Sequence, residues 1–210
     1  PERAMSLTFY FAPMSTASVT ALVLEELEVP CERVKIDLRA GGTKTPEFLK
    51  INPNAKVPVI DHDGGVVWES TAITMYLGET FGVEKGLYPA PGPKRGEAMR
   101  WIAWGGVTLV DAIYQWSRNT SAWTPADHHN AKAGEVGRRE IDNCLRILND
   151  ALDGRDYLLG TYTLADTHLL SLIDWLGHMQ VDVAAFPHIV AWVARCKARP
   201  AYARSMASEG

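Results

Sequence analysis

Pro58 stands one residue into what otherwise reads as a buried strand. In Asn52-Pro53-Asn54-Ala55-Lys56-Val57-Pro58-Val59-Ile60, two prolines bracket a polar, turn-prone stretch, and Val57, Val59 and Ile60 carry strand chemistry. Proline removes a ladder donor, which confines it to edges, bulges and strand entrances. The stretch therefore predicts a strand entered at Pro58 through a cis Val57–Pro58 bond, with the backbone of Val57 turned outward. Val57 would then offer its N–H and C=O to an extended peptide lying alongside. A plain proline-flanked turn is the other reading of the same residues.

The sequence that follows narrows the choice. Asp63-Gly64-Gly65 is a hairpin signal, Val66–Trp68 reads as the returning strand, and Glu69-Ser70-Thr71-Ala72-Ile73 opens a helix. Ser70 is expected as its N-cap, with Glu69 beside the positive end. Such a helix mouth holds an anion or a ligand carboxylate through its N–H groups and the Ser70 hydroxyl.

Taken together, the order Asn-Pro, Lys-Val-Pro-Val-Ile, Asp-Gly and Trp-Glu-Ser-Thr-Ala-Ile resembles the glutathione-binding half of cytosolic glutathione transferases. The resemblance implies that Val57 pairs with the cysteinyl backbone of glutathione beside a cis Pro58, while Glu69 and Ser70 hold the γ-glutamyl end. It extends over essentially the whole chain, by motif in the first half and by helix pattern in the second. It also implies a cytoplasmic homodimer with glutathione as co-substrate and no metal.

Composition sets outer bounds. The 210 residues suffice for one large or two modest domains, and 47% hydrophobic with 22% charged residues is ordinary for a globular chain. A formal net charge of -4 gives no support to nucleic-acid or anionic-membrane binding. No apolar run approaches a membrane span, and no apolar signal core precedes the first strand. Met5 is expected as the natural start, with Pro1–Ala4 as additions. Cys31, Cys144 and Cys196 are odd in number and widely scattered, which fits reduced thiols in a cytosol and no metal cluster.

Along the chain, Leu7–Phe11 reads as a buried first strand, and Val19, Leu22, Val23 and Leu27 follow at helical spacing with Ser15 or Thr16 as cap. Val34, Ile36 and Leu38 alternate with Arg33, Lys35 and Asp37 as a half-buried second strand. Thr45-Pro46 is a cap with proline at the first helical position. With the hairpin and a helix from Ser70 to about Phe81, the order is β-α-β-α-β-β-α, a thioredoxin-like α/β domain over 5–82. Residues 83–96, rich in glycine and proline, are expected as a linker, and 97–210 as an all-helical, all-α domain. Within it, Lys94–Arg118 shows helix-like spacing, and a long helix is expected over about Ala126–Leu152 with Gly154 as its stop. Thr163-Leu164-Ala165-Asp166 has the form of a capping box for a central, apolar helix, and Phe186-Pro187 starts another.

A free thiol with a pKa of about 8.5 carries little thiolate at neutral pH. A transferase therefore needs a hydroxyl donor and a helix dipole near the sulfur. Ser15 ranks first for this role, Thr16 second, and Tyr10, similar to the tyrosine-type classes, third. The resemblance is closest to serine- and cysteine-type classes such as beta, theta or zeta. It departs from them at Pro13 and Met14, where relatives place their key residue; Met14 stands in for the cysteine of the bacterial cysteine-type class. Lys56 would reach the glycyl carboxylate as a point charge. Trp101, Trp104, Tyr114 and Trp116 are candidates for an apolar pocket, with core packing as their plainer role. His128-His129 cannot face one direction on a helix.

The implied reaction is thiolate attack on a small apolar electrophile. Rivals within the same fold are a glutathione-dependent isomerase, dehalogenase, or peroxidase/disulfide reductase. A rival of another class is a non-enzymatic interaction module, which has no evident need for a carboxylate-holding helix mouth.

Overall fold

Alternation in Leu7-Thr8-Phe9-Tyr10-Phe11 sorts the first strand, β1 (Leu7–Phe11), into a buried face of Leu7, Phe9 and Phe11 and a half-buried face of Thr8 and Tyr10. The computed structural model describes residues 5–208, so the expectation about Pro1–Ala4 lies outside the described residues. Helix α1 (Ala17–Leu27) is buried along most of its length and ends where Glu28 turns left-handed, its N–H bonding the carbonyls of Glu25 and Leu24.

The second strand is shorter than its alternation suggests. β2 (Glu32–Lys35) pairs in parallel with β1, and the Ile36 N–H still reaches the Phe11 carbonyl at 2.7 Å. The chain then turns because the Asp37 carboxylate accepts the N–H groups of Arg39 and Ala40, at 2.9 and 3.0 Å. Leu38 is consequently exposed rather than part of the sheet. After a 3₁₀ turn at Gly42–Lys44, α2 (Pro46–Ile51) begins with the expected cap: the Thr45 hydroxyl accepts the Phe48 N–H.

β3 (Val59–His62) and β4 (Gly65–Trp68) form the hairpin. Asp63 and Gly64 at its tip have φ of 53° and 89°, the two left-handed residues that a type I′ turn requires. Strand order is β2-β1-β3-β4, with β3 antiparallel to both neighbours. α3 (Ser70–Leu77) continues into a π-helical turn at Gly78–Gly82. Phe9, Val59, Ile60, Ile73 and Leu77 are all fully buried in this thioredoxin-like arrangement.

From Pro91 to Ala198 the described chain forms a second compact unit, entirely helical. α4 (Pro93–Trp104) and α5 (Val110–Thr120) are joined by a π-helical turn at Gly105–Leu109. α6 (Ala131–Ala151) starts five residues later than the apolar spacing suggests, because the Asn130 side chain caps the Ala133 N–H. His128 and His129 therefore precede it, on a short 3₁₀ turn and its end. Against α5, Gly137 lets two backbones meet: a Cβ there would lie 2.9 Å from Trp116 Cα. α7 (Leu164–His178) and α8 (Pro187–Lys197) complete the unit around Leu145, Leu148, Leu169, Leu170, Ile189 and Trp192.

The last helix, α9 (Pro200–Ser208), was not evident from the sequence pattern and belongs with the first unit, whose residues run to Ala90 and resume at Arg199. It packs on α1 through paired charges. Arg199 grips Glu26 with two bonds, of 2.8 and 2.7 Å, and the Glu26 side chain is only 3% exposed. Arg204 bonds Glu25, which also holds Arg33, and Arg33 reaches the Ser208 hydroxyl. Among the described residues no helix is long and apolar enough to cross a membrane.

Candidate active site

The loop between α2 and β3 is built around a buried asparagine. Asn52, 2% exposed, ends α2 by donating its N–H to the Phe48 carbonyl. Its side-chain oxygen accepts from Asn54 N and Nδ2 at 3.0 and 3.1 Å, and its side-chain nitrogen donates to the Lys56 carbonyl at 2.8 Å. Ala55 takes a left-handed turn, φ 54°, inside this ring. The Val57–Pro58 peptide is cis, as expected, and both residues are buried, whereas the Lys56 side chain is exposed. Asn52 is a site residue beyond those expected from sequence. An Asn-x-Asn pair in front of a strand was the available signal, since asparagine side chains bond the backbone two residues on.

The helix mouth at α3 differs by one residue from expectation. Glu69, not Ser70, occupies the cap position, with φ 74° and ψ 115°, and Ser70 is the first helical residue. The Ile73 N–H closing on the Glu69 carbonyl at 2.9 Å fixes this boundary. Neither side chain caps the helix, so no side-chain cap closes the first N–H groups of α3, and Glu69 is exposed and Ser70 half-exposed. A non-glycine residue in that conformation is uncommon and costs backbone energy, and such residues gather at ligand sites.

The three candidate donors are placed differently. Ser15 donates its hydroxyl to the Ala12 carbonyl at 2.7 Å and accepts the Ala17 N–H at 3.2 Å, so both of its roles are used within the turn that starts α1. Thr16 holds the cap position without capping; its hydroxyl instead points at the Val57 carbonyl, at a long 3.4 Å. Tyr10 packs edge-on against Phe48 of α2. Burial pushes its phenol above the usual range, and the nearby Asp61 and Glu32 carboxylates push the same way. Of the three, Thr16 is the one in contact with the Val57 backbone. Met14 is exposed and left-handed, φ 54°.

In the helical unit, Trp101 and Trp104 stack edge-to-face on each other, and Tyr114 on Trp175. Cys144 and Cys196 are buried, and burial raises the Cys144 thiol to about 11. Among the described residues no cluster of three or more His, Cys, Asp or Glu is placed to hold a metal.

A mixed four-stranded sheet with a proline-entered third strand, an open helix mouth after the hairpin and a following all-helical unit define a thioredoxin-like protein of the two-domain type. The N-terminal domain model of glutathione S-transferases matches residues 5–79, and the C-terminal domain model matches residues 114–200. The chain belongs to the glutathione S-transferase family. It is 29% identical to the disulfide-bond oxidoreductase YfcG of Escherichia coli K12, over 95% of this chain and 94% of that protein. It is 28% identical to glutathione S-transferase D7 of Drosophila melanogaster, over 97% and 90%. A sphingomonad glutathione S-transferase, solved in complex with glutathione, superposes with a TM-score of 0.84 at 26% identity, covering 97% of this chain and 98% of its own.

Proposed function

We propose that this protein is a glutathione transferase that joins the glutathione thiolate to a small apolar electrophile, acting as a cytoplasmic homodimer. The observation that carries the reading is the pairing of two peptide-holding features in one unit: the buried Val57–Pro58 edge and the uncapped mouth of α3 at Glu69 and Ser70. In this reading Val57 pairs with the cysteinyl backbone beside Pro58, and Lys56 meets the glycyl carboxylate. Glu69 and Ser70 hold the γ-glutamyl end. Calorimetric titration with glutathione tests the binding. Ser70→Ala is expected to weaken it by about 1–3 kcal/mol, the scale of a hydrogen bond to a charged group, and unchanged affinity would move the γ-glutamyl site elsewhere.

For activation of the thiol, the observed bonds support Thr16 ahead of Ser15, reversing the order expected from sequence. Ser15 is committed on both sides, whereas Thr16 has one long bond, to the carbonyl that would receive the cysteinyl N–H. Redirecting that hydroxyl to the sulfur favours the anion and lowers the thiol pKa. Thr16→Val should raise the pKa of bound glutathione and cut turnover at neutral pH by roughly 10- to 100-fold, with Thr16→Ser restoring most of it. Ultraviolet titration of the thiolate reads this directly. A curve unmoved by Thr16→Val but shifted by Ser15→Ala would return the role to Ser15.

A second reading has a specific relative behind it, the oxidoreductase YfcG. Here the bound glutathione thiolate attacks one sulfur of a substrate disulfide, forming a mixed disulfide and expelling the other sulfur as a thiolate. A second glutathione thiolate then attacks the mixed disulfide, giving oxidised glutathione and the second substrate thiol. The same Val57 edge and thiol donor serve both reactions. Parallel assays with an aryl halide and a small dialkyl disulfide separate them.

A further inference from the structure

We infer that Asn52 is a positioning residue for glutathione: it sets the direction in which the Val57 edge faces, acting through the Lys56–Val57 peptide plane. The inference rests on the proposed glutathione reading.

A trans peptide is planar, with its C=O and N–H pointing to opposite sides. Among the described residues only Val57–Pro58 is cis, so the Lys56–Val57 peptide obeys this rule. Its carbonyl is drawn inward to Asn52 Nδ2 at 2.8 Å, and the Val57 N–H must therefore point away from Asn52. That N–H has no hydrogen-bond partner among the described residues, although Val57 is only 8% exposed. Strand addition uses the N–H and C=O of one residue to hold an incoming peptide. Pro58 has no N–H to offer, so Val57 is the residue at this entrance that presents both groups.

Asn52 is itself a firm post. Its backbone N–H is held by Phe48 at 2.8 Å, its carbonyl receives the Ala55 N–H at 3.0 Å, and its side-chain oxygen is held by Asn54. One side-chain donor thus transmits the position of α2 to the docking edge. Asparagine is suited to the task because one amide supplies the acceptor for Asn54 and the donor for Lys56. Aspartate supplies only the acceptor, and sets a carboxylate against the Lys56 carbonyl.

The test compares wild type and Asn52→Asp in calorimetric titrations with reduced glutathione. Asn52→Asp is expected to bind about three- to tenfold more weakly, the scale of one misdirected backbone bond, and to show raised KM for glutathione with kcat at saturation retained. A purely structural role would instead lower thermal stability and leave KM alone. A folded Asn52→Asp variant with wild-type affinity overturns the inference. A second measurement needs no variant: in the wild-type chain the Val57 amide proton should shift and gain exchange protection on saturation with glutathione. A Val57 amide indifferent to bound glutathione overturns the inference together with the proposed Val57 pairing, while glutathione binding itself stands. Wild type that fails to bind glutathione removes both.

Discussion

Replacing Asp166 with alanine is expected to destabilise the helical unit by about 3–5 kcal/mol, the scale of stranding several buried donors at once. Asp166 is fully buried near the start of α7, and each of its oxygens takes two bonds. One accepts the Leu158 N–H and the Trp192 indole N–H, both at 2.9 Å. The other accepts the Thr163 N–H at 3.0 Å and the Thr163 hydroxyl at 3.3 Å. The carboxylate therefore closes the helix cap and also fastens the preceding loop and α8 to the same point. Asp166→Asn keeps the size and one acceptor, and should lose less. Guanidinium unfolding followed by tryptophan fluorescence measures both variants. A loss below about 1 kcal/mol for Asp166→Ala would mean that water replaces the carboxylate.

Acid should also undo this unit, through His168. The residue is fully buried two positions after Asp166, and burial lowers its pKa to about 3 from the usual 6.5. Above pH 6.5 the imidazole is neutral in both folded and unfolded chains, and its stabilising contribution is fully present. As pH falls below 6.5 the unfolded chain takes up the proton and the folded chain does not. Stability then drops by about 1.4 kcal/mol per pH unit until the folded value is reached, or roughly 3–5 kcal/mol in all. Asp166 works against this slope: its carboxyl is held above the usual range by burial, so its contribution is larger in acid and fades as pH rises through the folded value. The decisive quantity is the difference between wild type and His168→Asn in denaturant midpoint, measured from pH 7.5 down to 4. Parallel pH profiles would show that His168 is protonated in the fold.

The parts of this structure legible in the sequence are those decided by neighbours in the chain. Asp63-Gly64 names its own turn, Thr45-Pro46 and Thr163–Asp166 their own helix starts, and Val57-Pro58 its own strand entrance. Errors of a few residues arose where a side chain bonds the backbone early. Asp37 ends β2 before its alternation runs out, and Asn130 delays α6 past the point where apolar spacing begins. The Ser70 cap slipped to Glu69 because a left-handed glutamate is not foreseeable from residue preference. In the candidate site, residue type identified three hydroxyls, but their ranking depended on which bonds each already makes. The grouping of α9 with the first unit was illegible for another reason. Its contacts join residues 173 to 179 positions apart, and local patterns do not encode such separations.

That grouping has a consequence for how the protein is made. The unit carrying Val57, Glu69 and Ser70 is begun first on the ribosome and completed only after the whole helical unit has been synthesised. Glu26, a nearly buried carboxylate, receives its two bonds from Arg199 only after that residue, 173 positions downstream, has been made. At about 5–20 residues per second, that interval lasts on the order of ten seconds or more. During it the nascent first unit has an unfinished flank, with α1 not yet joined by α9. A ribosome stalled anywhere between Ala90 and Arg199 therefore holds the 52–58 loop, the proposed glutathione dock, on a foundation that lacks its last helix.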